Sequence, residues 1–183
     1  MKAADKCIDE GTNLLVTGEM GIGNTTSTSA IASAVFSLPA EETVGRGSGI
    51  NDERMKIKRH IVTKALAINK PKSTDGLDIL SKIGGYEHAG LVGMILAGAA
   101  RGVPTMLDGV NATAAALLAG MLCPDAKKYM FASHLSEETI HQNMLEQLHL
   151  KPIINAHMRL GEGTGAMLAI AFLNMAMDVY NNA

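Results

Sequence analysis

The strongest constraint on how this chain folds is an order that repeats along it: a short apolar run of β type, a turn rich in glycine or polar residues, then a longer stretch of helical period. NLLVTG at residues 13–18 is the first such run, and a helix over residues 24–37 begins in the Gly-Asn-Thr turn after it. A helix over residues 51–69 carries Asp52 and Glu53 in its first turn and Ile57, Ile61, Leu66 and Ile68 on its apolar side, and Lys70-Pro71 ends it. A weaker helix over residues 77–83 leads through Gly84-Gly85 into a helix over residues 87–100. VPTMLDG at 103–109 reads as a buried strand, followed by a helix at 111–122, a strand at 129–133, a helix at 137–148, a strand at 152–157 and a closing helix at 164–180. About four strands alternating with helices predict a three-layer α/β fold, with a mainly parallel, Rossmann-like sheet and helices on both faces.

The filling of that fold is unusual. With Gly 19, Met 12, Trp 0, Tyr 3 and Phe 3 in 183 residues, the core has to be built from Ala, Ile, Leu, Val and Met on closely approaching elements. The length suits a single α/β domain over residues 1–183, able to bury about 70% of the surface of the unfolded chain. A net charge of -2 gives no long-range field to gather nucleic acid or anionic membrane, so any anion site is local. Cys7 and Cys123 form no C-x-x-C pair, and buried small hydrophobes are their expected role in a reducing compartment. The apolar runs at residues 89–100 and 112–123 are too short to cross a bilayer, and the opening MKAADKCIDEG lacks the apolar region of a secretory signal, so a cytoplasmic protein is expected.

In parallel sheets ligands sit beyond the carboxyl ends of the strands, which directs attention to GEMGIGNTT, DGVN, SHLSEETIH and HMRLGEGTG. GEMGIGNTT (residues 18–26) leads into a helix N-terminus suited to a phosphate. It departs from the P-loop pattern at Asn24, where the lysine belongs, and from G-x-G-x-x-G at Thr26. A plain turn with Asn24 or Thr25 as N-cap is the alternative. GRGSG (residues 45–49) is a second such turn, with Arg46 inside it and Lys56, Lys58 and Arg59 on the following helix; backbone N–H groups and a cation suit a single phosphate, and a surface loop is the alternative. Glu162 stands between glycines in RLGEGTG, where a carboxylate can meet a ligand closely and act as a general base, or merely complement a helix N-terminus. His134 and His141 bracket SHLSEETIH without metal-ligand spacing, so Ser133 or Ser136 as an N-cap is preferred to a metal site. His60, His88, His149 and His157 form no visible constellation.

GEMGIGNTT, GRGSG with Lys58 nine residues beyond its last glycine, GGYE, LDG (residues 107–109), S-H-x-S-x-E-x-x-H (residues 133–141) and MRLGEGTGA (residues 158–166) together resemble the successive motifs of the nicotinate-nucleotide:dimethylbenzimidazole phosphoribosyltransferase family. The similarity runs from about Gly11 onward with order and spacing kept. The resemblance implies attack of a benzimidazole on C1′ of nicotinate mononucleotide, releasing nicotinate and giving α-ribazole 5′-phosphate. Nicotinate leaves as a neutral ring nitrogen, so neither a metal nor a cofactor is expected. The family role of proton acceptor maps onto Glu162. Glu19 matches a second functional acid, suited to stabilising positive charge on the ribosyl carbon, and Asp108 a further polar active-site position. The implied phosphate and nucleotide contacts are Gly21, Gly23, Asn24, Thr25, Gly45, Arg46, Gly47, Ser48, Gly49 and Lys58, with Met20 and Leu160 bordering the base.

Asn155 and His157 stand where the family more often has an Asp and a small residue, and Thr139-Ile140 replaces a Pro-Gly pair. Family members are also nearly twice as long, so the chain resembles their catalytic half, and a sheet edge without a neighbour and an unfinished base pocket are expected. The expected partners are small-molecule substrates, a second copy in a homodimer, and a complementing N-terminal half. Two further function classes follow: a nucleotide-binding subunit that turns over only when completed, and a P-loop-type NTPase, against which the missing lysine counts.

Overall fold

The computed structural model describes residues 1–47 and 49–182. The helices are α1 (Lys2–Asp9), α2 (Asn24–Phe36), α3 (Ala40–Thr43), α4 (Asp52–Asn69), α5 (Gly76–Ile83), α6 (Tyr86–Ala100), α7 (Val110–Leu122), α8 (His141–Leu148) and α9 (Thr164–Asn182). The strands are β1 (Leu15–Val16), β2 (Thr105–Leu107), β3 (Met130–Ala132), β4 (His134–Ser136) and β5 (Ile154–Met158), and a 3-10 turn spans Pro124–Tyr129. β1, β2 and β3 lie side by side in that order, all parallel, with Val16 opposite Met106 and Leu107 opposite Ala132. β4 and β5 pair in parallel beyond them, and the ladder is continuous through Ser133, whose N–H donates to Leu107 O (3.0 Å) and whose carbonyl accepts from Ile154 N (2.9 Å).

Alternation along β2 assigns the layers. Met106 faces Ala166, Ala169 and Leu173 of α9, together with Val16 and Ile154. Its neighbour Leu107 points the other way, into the main core formed by α2 to α8. Leu15 points to the same side, into a separate small cluster with Ala97 of α6 and Ala4 of α1. Helices therefore cover both faces of a parallel sheet, as the strand–helix alternation predicts. The aromatic-poor composition has a physical use in α7, which is buried from Val110 to Gly120. Its alanines let α2, α5, α6 and α8 approach from all sides, which a bulkier helix would prevent.

The departures from the sequence expectation are local. Segment 137–148 is helical only from His141, because Glu137 N–H extends the strand pairing to Met158 O (2.9 Å) and α8 starts from Ile140. β4 in consequence makes a fifth strand. Ser133 and Ser136 are not N-caps: Ser133 bonds His134, and the N–H and hydroxyl of Ser136 both face His141 Nδ1 at 2.9 Å. β5 bulges against β4, and His157 there takes φ +52 and sits 2.6 Å from Glu137. Cys7 and Cys123 are exposed rather than buried, the first on a helix that buries only Ala4, the second capping α7. Among the described residues, no helix is long and apolar enough to cross a membrane.

Candidate active site

Each strand delivers its following residues to the same end of the sheet. Glu19 follows β1, Asp108 follows β2, His134 lies beyond β3, Glu138 follows β4, and Arg159 to Glu162 follow β5. Together with Met20 to Thr25, Gly47 and Asn111 they line a cleft of about 360 Å³, within the range of small-molecule pockets.

Two backbone turns meet beside it. A Cβ on Gly18 would stand 3.1 Å from Gly163 Cα and 3.2 Å from Gly163 N, so the loop after β1 and the loop after β5 touch main chain to main chain. Gly161, Glu162 and Gly163 all have positive φ (+81, +58 and +81), and Glu162 is the one residue of the three with a side chain to strain there. A non-glycine in this region costs about 1 to 3 kcal/mol. The turn lifts the exposed Glu162 carboxylate into the cleft and puts Gly161 close to Glu19, whose Oε1 would lie 3.8 Å from a Cβ there.

Both oxygens of Glu19 are held by amides: Asn24 Nδ2 donates to Oε2, and Asn111 Nδ2 donates to Oε1 at 2.7 Å. Asn24 therefore serves the acid and does not cap α2, whose N-cap is Gly23 at φ +80. Thr25 is not the cap either, and its hydroxyl accepts from Lys58 Nζ (2.9 Å), which also donates to Gly45 O (3.0 Å). Burial pulls the Lys58 ammonium below its ordinary pKa, opposed by the negative charge of Glu138. Glu138, itself buried, accepts from Gly47 N–H at 2.5 Å. A phosphate seated on that N–H would have to displace the Glu138 carboxylate.

The remaining sequence-derived site residues divide clearly. Gly21, Gly23, Asn24, Thr25, Gly47, Met20, Leu160, Glu19, Asp108 and Glu162 line the cleft, and Lys58 and Gly45 lie directly behind Thr25 and Gly47. Arg46 is not gathered into it: its guanidinium is exposed and engages Asp52 (2.5 Å) and Ile50 O (2.9 Å). Gly49 is exposed and outside the lining, and Ser48 lies outside the described residues. Asp108 is in the wall, with both its oxygens engaged by the main chain, Oδ2 by Gly163 N–H (2.9 Å) and Oδ1 by Ala166 N–H (3.1 Å).

Sequence reasoning gave no role to Asn111, Glu138, His134 or Arg159. Glu138 falls within the S-H-x-S-x-E-x-x-H motif, and Asn111 is two residues past LDG, so proximity to a motif was their only signal.

His141 is fully buried between β4 and α7. Its Nδ1 faces Ser136 and its Nε2 lies 2.9 Å from Thr113 Oγ1. Burial, reinforced by His134, pushes its pKa from 6.5 to about 3, so it stays neutral when folded. Burial also lowers the pKa of His134 and of His88, against the opposing carboxylates of Asp108 and Glu87. Below pH 6.5 the unfolded chain takes up a proton that folded His141 refuses until about pH 3, so stability is undiminished above the window and falls as pH drops through it. The limiting slope is about 1.4 kcal/mol per pH unit for each such histidine. Urea midpoints are expected to fall between pH 7 and pH 5 and to fall less in His141→Gln; an identical pH dependence in that variant would show that other groups carry the loss.

Parallel strands, a cleft at their carboxyl ends and acids beside glycine turns define an α/β protein with a candidate small-molecule site. Residues 1–183 match the family described as Phosphoribosyltransferase (DBI_PRT), and the chain belongs to that family. It is 48% identical over 174 residues to the nicotinate-nucleotide--dimethylbenzimidazole phosphoribosyltransferase of Desulforamulus reducens, covering 95% of this chain and 50% of the relative. Against the protein of the same name from Chloroflexus aggregans the identity is 47% over 176 residues, covering 96% and 50%. The crystal structure of CobT from Thermus thermophilus superposes with a TM-score of 0.90 at 43% identity, covering 96% of this chain and 52% of that one. The chain thus spans about half the length of the curated relatives it matches.

Proposed function

We propose that this chain carries the catalytic centre for transfer of the phosphoribosyl group of nicotinate mononucleotide to 5,6-dimethylbenzimidazole or a related base, in assembly of the cobalamin nucleotide loop. The observation that carries the reading is the convergence of Glu19 and Glu162, from the loops after β1 and β5, on one cleft whose far wall holds Thr25, Gly47 and, behind them, Lys58. A benzimidazole ring nitrogen attacks C1′. The C1′–N bond to the pyridinium breaks, its electron pair neutralising the nicotinate ring, and the other benzimidazole nitrogen gives its proton to Glu162. Glu19 faces the positive charge that develops on the ribosyl carbon. The phosphate lies toward Gly47 and Lys58, where it takes over the Gly47 N–H from the Glu138 carboxylate, and the chemistry requires no cofactor. Asp108, assigned to the catalytic set from sequence, acts by holding the Glu162 turn.

A partner-completed site is the second reading, favoured by a specific observation. Met20 and Leu160, the residues expected against the aromatic base, are 76% and 68% exposed. β1 is an edge strand, and α9 leaves Leu168, Phe172, Met175 and Val179 in the open. A second copy or an N-terminal half of such an enzyme would cover these surfaces. The proposed setting is a cytoplasmic enzyme acting as a single α/β catalytic domain.

The test is nicotinate release from nicotinate mononucleotide, with and without 5,6-dimethylbenzimidazole, by the chain alone and with the N-terminal half of a relative added. Benzimidazole-dependent release by the chain alone supports the first reading, and release only after addition supports the second. Release that ignores benzimidazole in both settings overturns the reaction.

A further inference from the structure

We infer that His88, a fully buried histidine on α6 with no direct contact to the cleft, is a positioning residue for Glu19. The inference rests on the reading of Glu19 as the acid that faces the substrate. His88 Nε2 lies 2.9 Å from Thr28 Oγ1 on α2, Thr28 Oγ1 lies 2.6 Å from Asn111 Oδ1 on α7, and Asn111 Nδ2 lies 2.7 Å from Glu19 Oε1 and 3.0 Å from Asn24 Oδ1.

Only one assignment of protons satisfies all of these contacts. Glu19 Oε1 and Asn24 Oδ1 are acceptors, which fixes the Asn111 amide with Nδ2 toward them and Oδ1 toward Thr28. Thr28 has one proton, and it goes to Asn111 Oδ1, so Thr28 must accept from His88. The ring proton is therefore on Nε2, and the Nδ1 lone pair accepts from Gly85 N–H at 3.2 Å. Glu87 Oε1 also lies 3.1 Å from Nδ1, a contact that would call for a proton on that nitrogen. Burial disfavours a second proton on the ring, and with a single proton the Thr28 contact calls for it on Nε2. Every hydrogen bond thus points the same way, from the first turn of α6 through three side chains to the carboxylate. In a buried chain of hydrogen bonds each bond polarises the next and fixes the rotamers of its members. An ordinary core histidine needs its nitrogens satisfied, but it has no need to end at an acid in the cleft.

Two nuclear magnetic resonance measurements on the full chain test this without requiring turnover. The ¹⁵N shifts of His88 are expected to show the neutral Nε2–H tautomer, and an Nδ1–H tautomer overturns the chain with no substitution needed. Solvent exchange of the Asn111 side-chain amide is expected to accelerate about tenfold in His88→Leu and in Thr28→Val, and to recover in His88→Gln, which can accept from Gly85 and donate to Thr28. A folded His88→Leu or Thr28→Val with unchanged Asn111 exchange overturns the positioning role. Nicotinate release should then show kcat lowered about tenfold in His88→Leu with KM little changed and restored in His88→Gln, since an acid held for the transition state acts on kcat. The expected tautomer and exchange behaviour, in a protein that releases no nicotinate under any condition, would support the positioning role and overturn the proposed reaction instead.

Discussion

Glu162→Gln is expected to lower benzimidazole-dependent nicotinate release by about a hundredfold or more, the range over which a positioned general base acts. The variant is a clean chemical probe because Gln has the same shape and suffers the same strain at φ +58, so the turn between Gly161 and Gly163 is conserved while the proton acceptor is lost. KM for nicotinate mononucleotide should change little, since the proton moves from the other substrate. Glu162→Gly separates function from folding further. It removes the side chain and the positive-φ strain together, so turnover should be lost while stability is unchanged or raised by up to about 1 kcal/mol. Both are read in whichever setting shows release, the chain alone or the completed site. Wild-type rates from Glu162→Gln would remove Glu162 from the role of base.

Much of this site is legible in the sequence because its parts are glycine-marked turns after apolar runs, and glycine marks where the chain takes positive φ or lets main chains touch. The loops after β1 and β5 carry Gly18 and Gly163 where the backbones touch, and Glu19 and Glu162 beside them line the cleft. The strand–helix alternation likewise survives folding, with most helix ends displaced by a residue or two and the start of α8 by four. What the sequence hides is long-range. No local pattern tells that the GRGSG turn would be met by Glu138 from the loop after β4, or that Arg46 would turn outward to Asp52 and leave Lys58 as the inward cation. His88 looks isolated in the sequence because its partners Thr28 and Asn111 lie 60 residues upstream and, through Thr28, 83 residues apart. Glu137 shows the same limit on secondary structure: it suits a helix, and a backbone bond to Met158 holds it against β5 just past the end of β4.

Asp108→Ala is expected to destabilise the protein by about 2 to 4 kcal/mol, the sum of a lost helix cap and buried N–H groups left unpaired. Asp108 is 3% exposed. Its two oxygens accept from Gly163 N–H and Ala166 N–H, which are donors at the start of α9 with no partner inside the helix. Its negative charge stands at the positive end of that helix dipole. Its own N–H is bonded to Thr17 Oγ1 (2.8 Å), whose hydroxyl donates to Met106 O (3.2 Å), so the residue ties β1, β2 and α9 at the point where the Glu162 turn begins. Loss of the carboxylate should therefore lower the urea midpoint and nicotinate release together, because Gly163 is both a lost donor partner and the hinge of the turn that carries Glu162, the proposed base. Asp108→Asn keeps one acceptor oxygen and sets an amide N–H against a main-chain N–H, so it should fall between wild type and Asp108→Ala in both measurements. If Asp108 instead touched the substrate, the two readouts would separate: release would be abolished in Asp108→Asn with the urea midpoint unmoved, and that outcome would return Asp108 to the catalytic set.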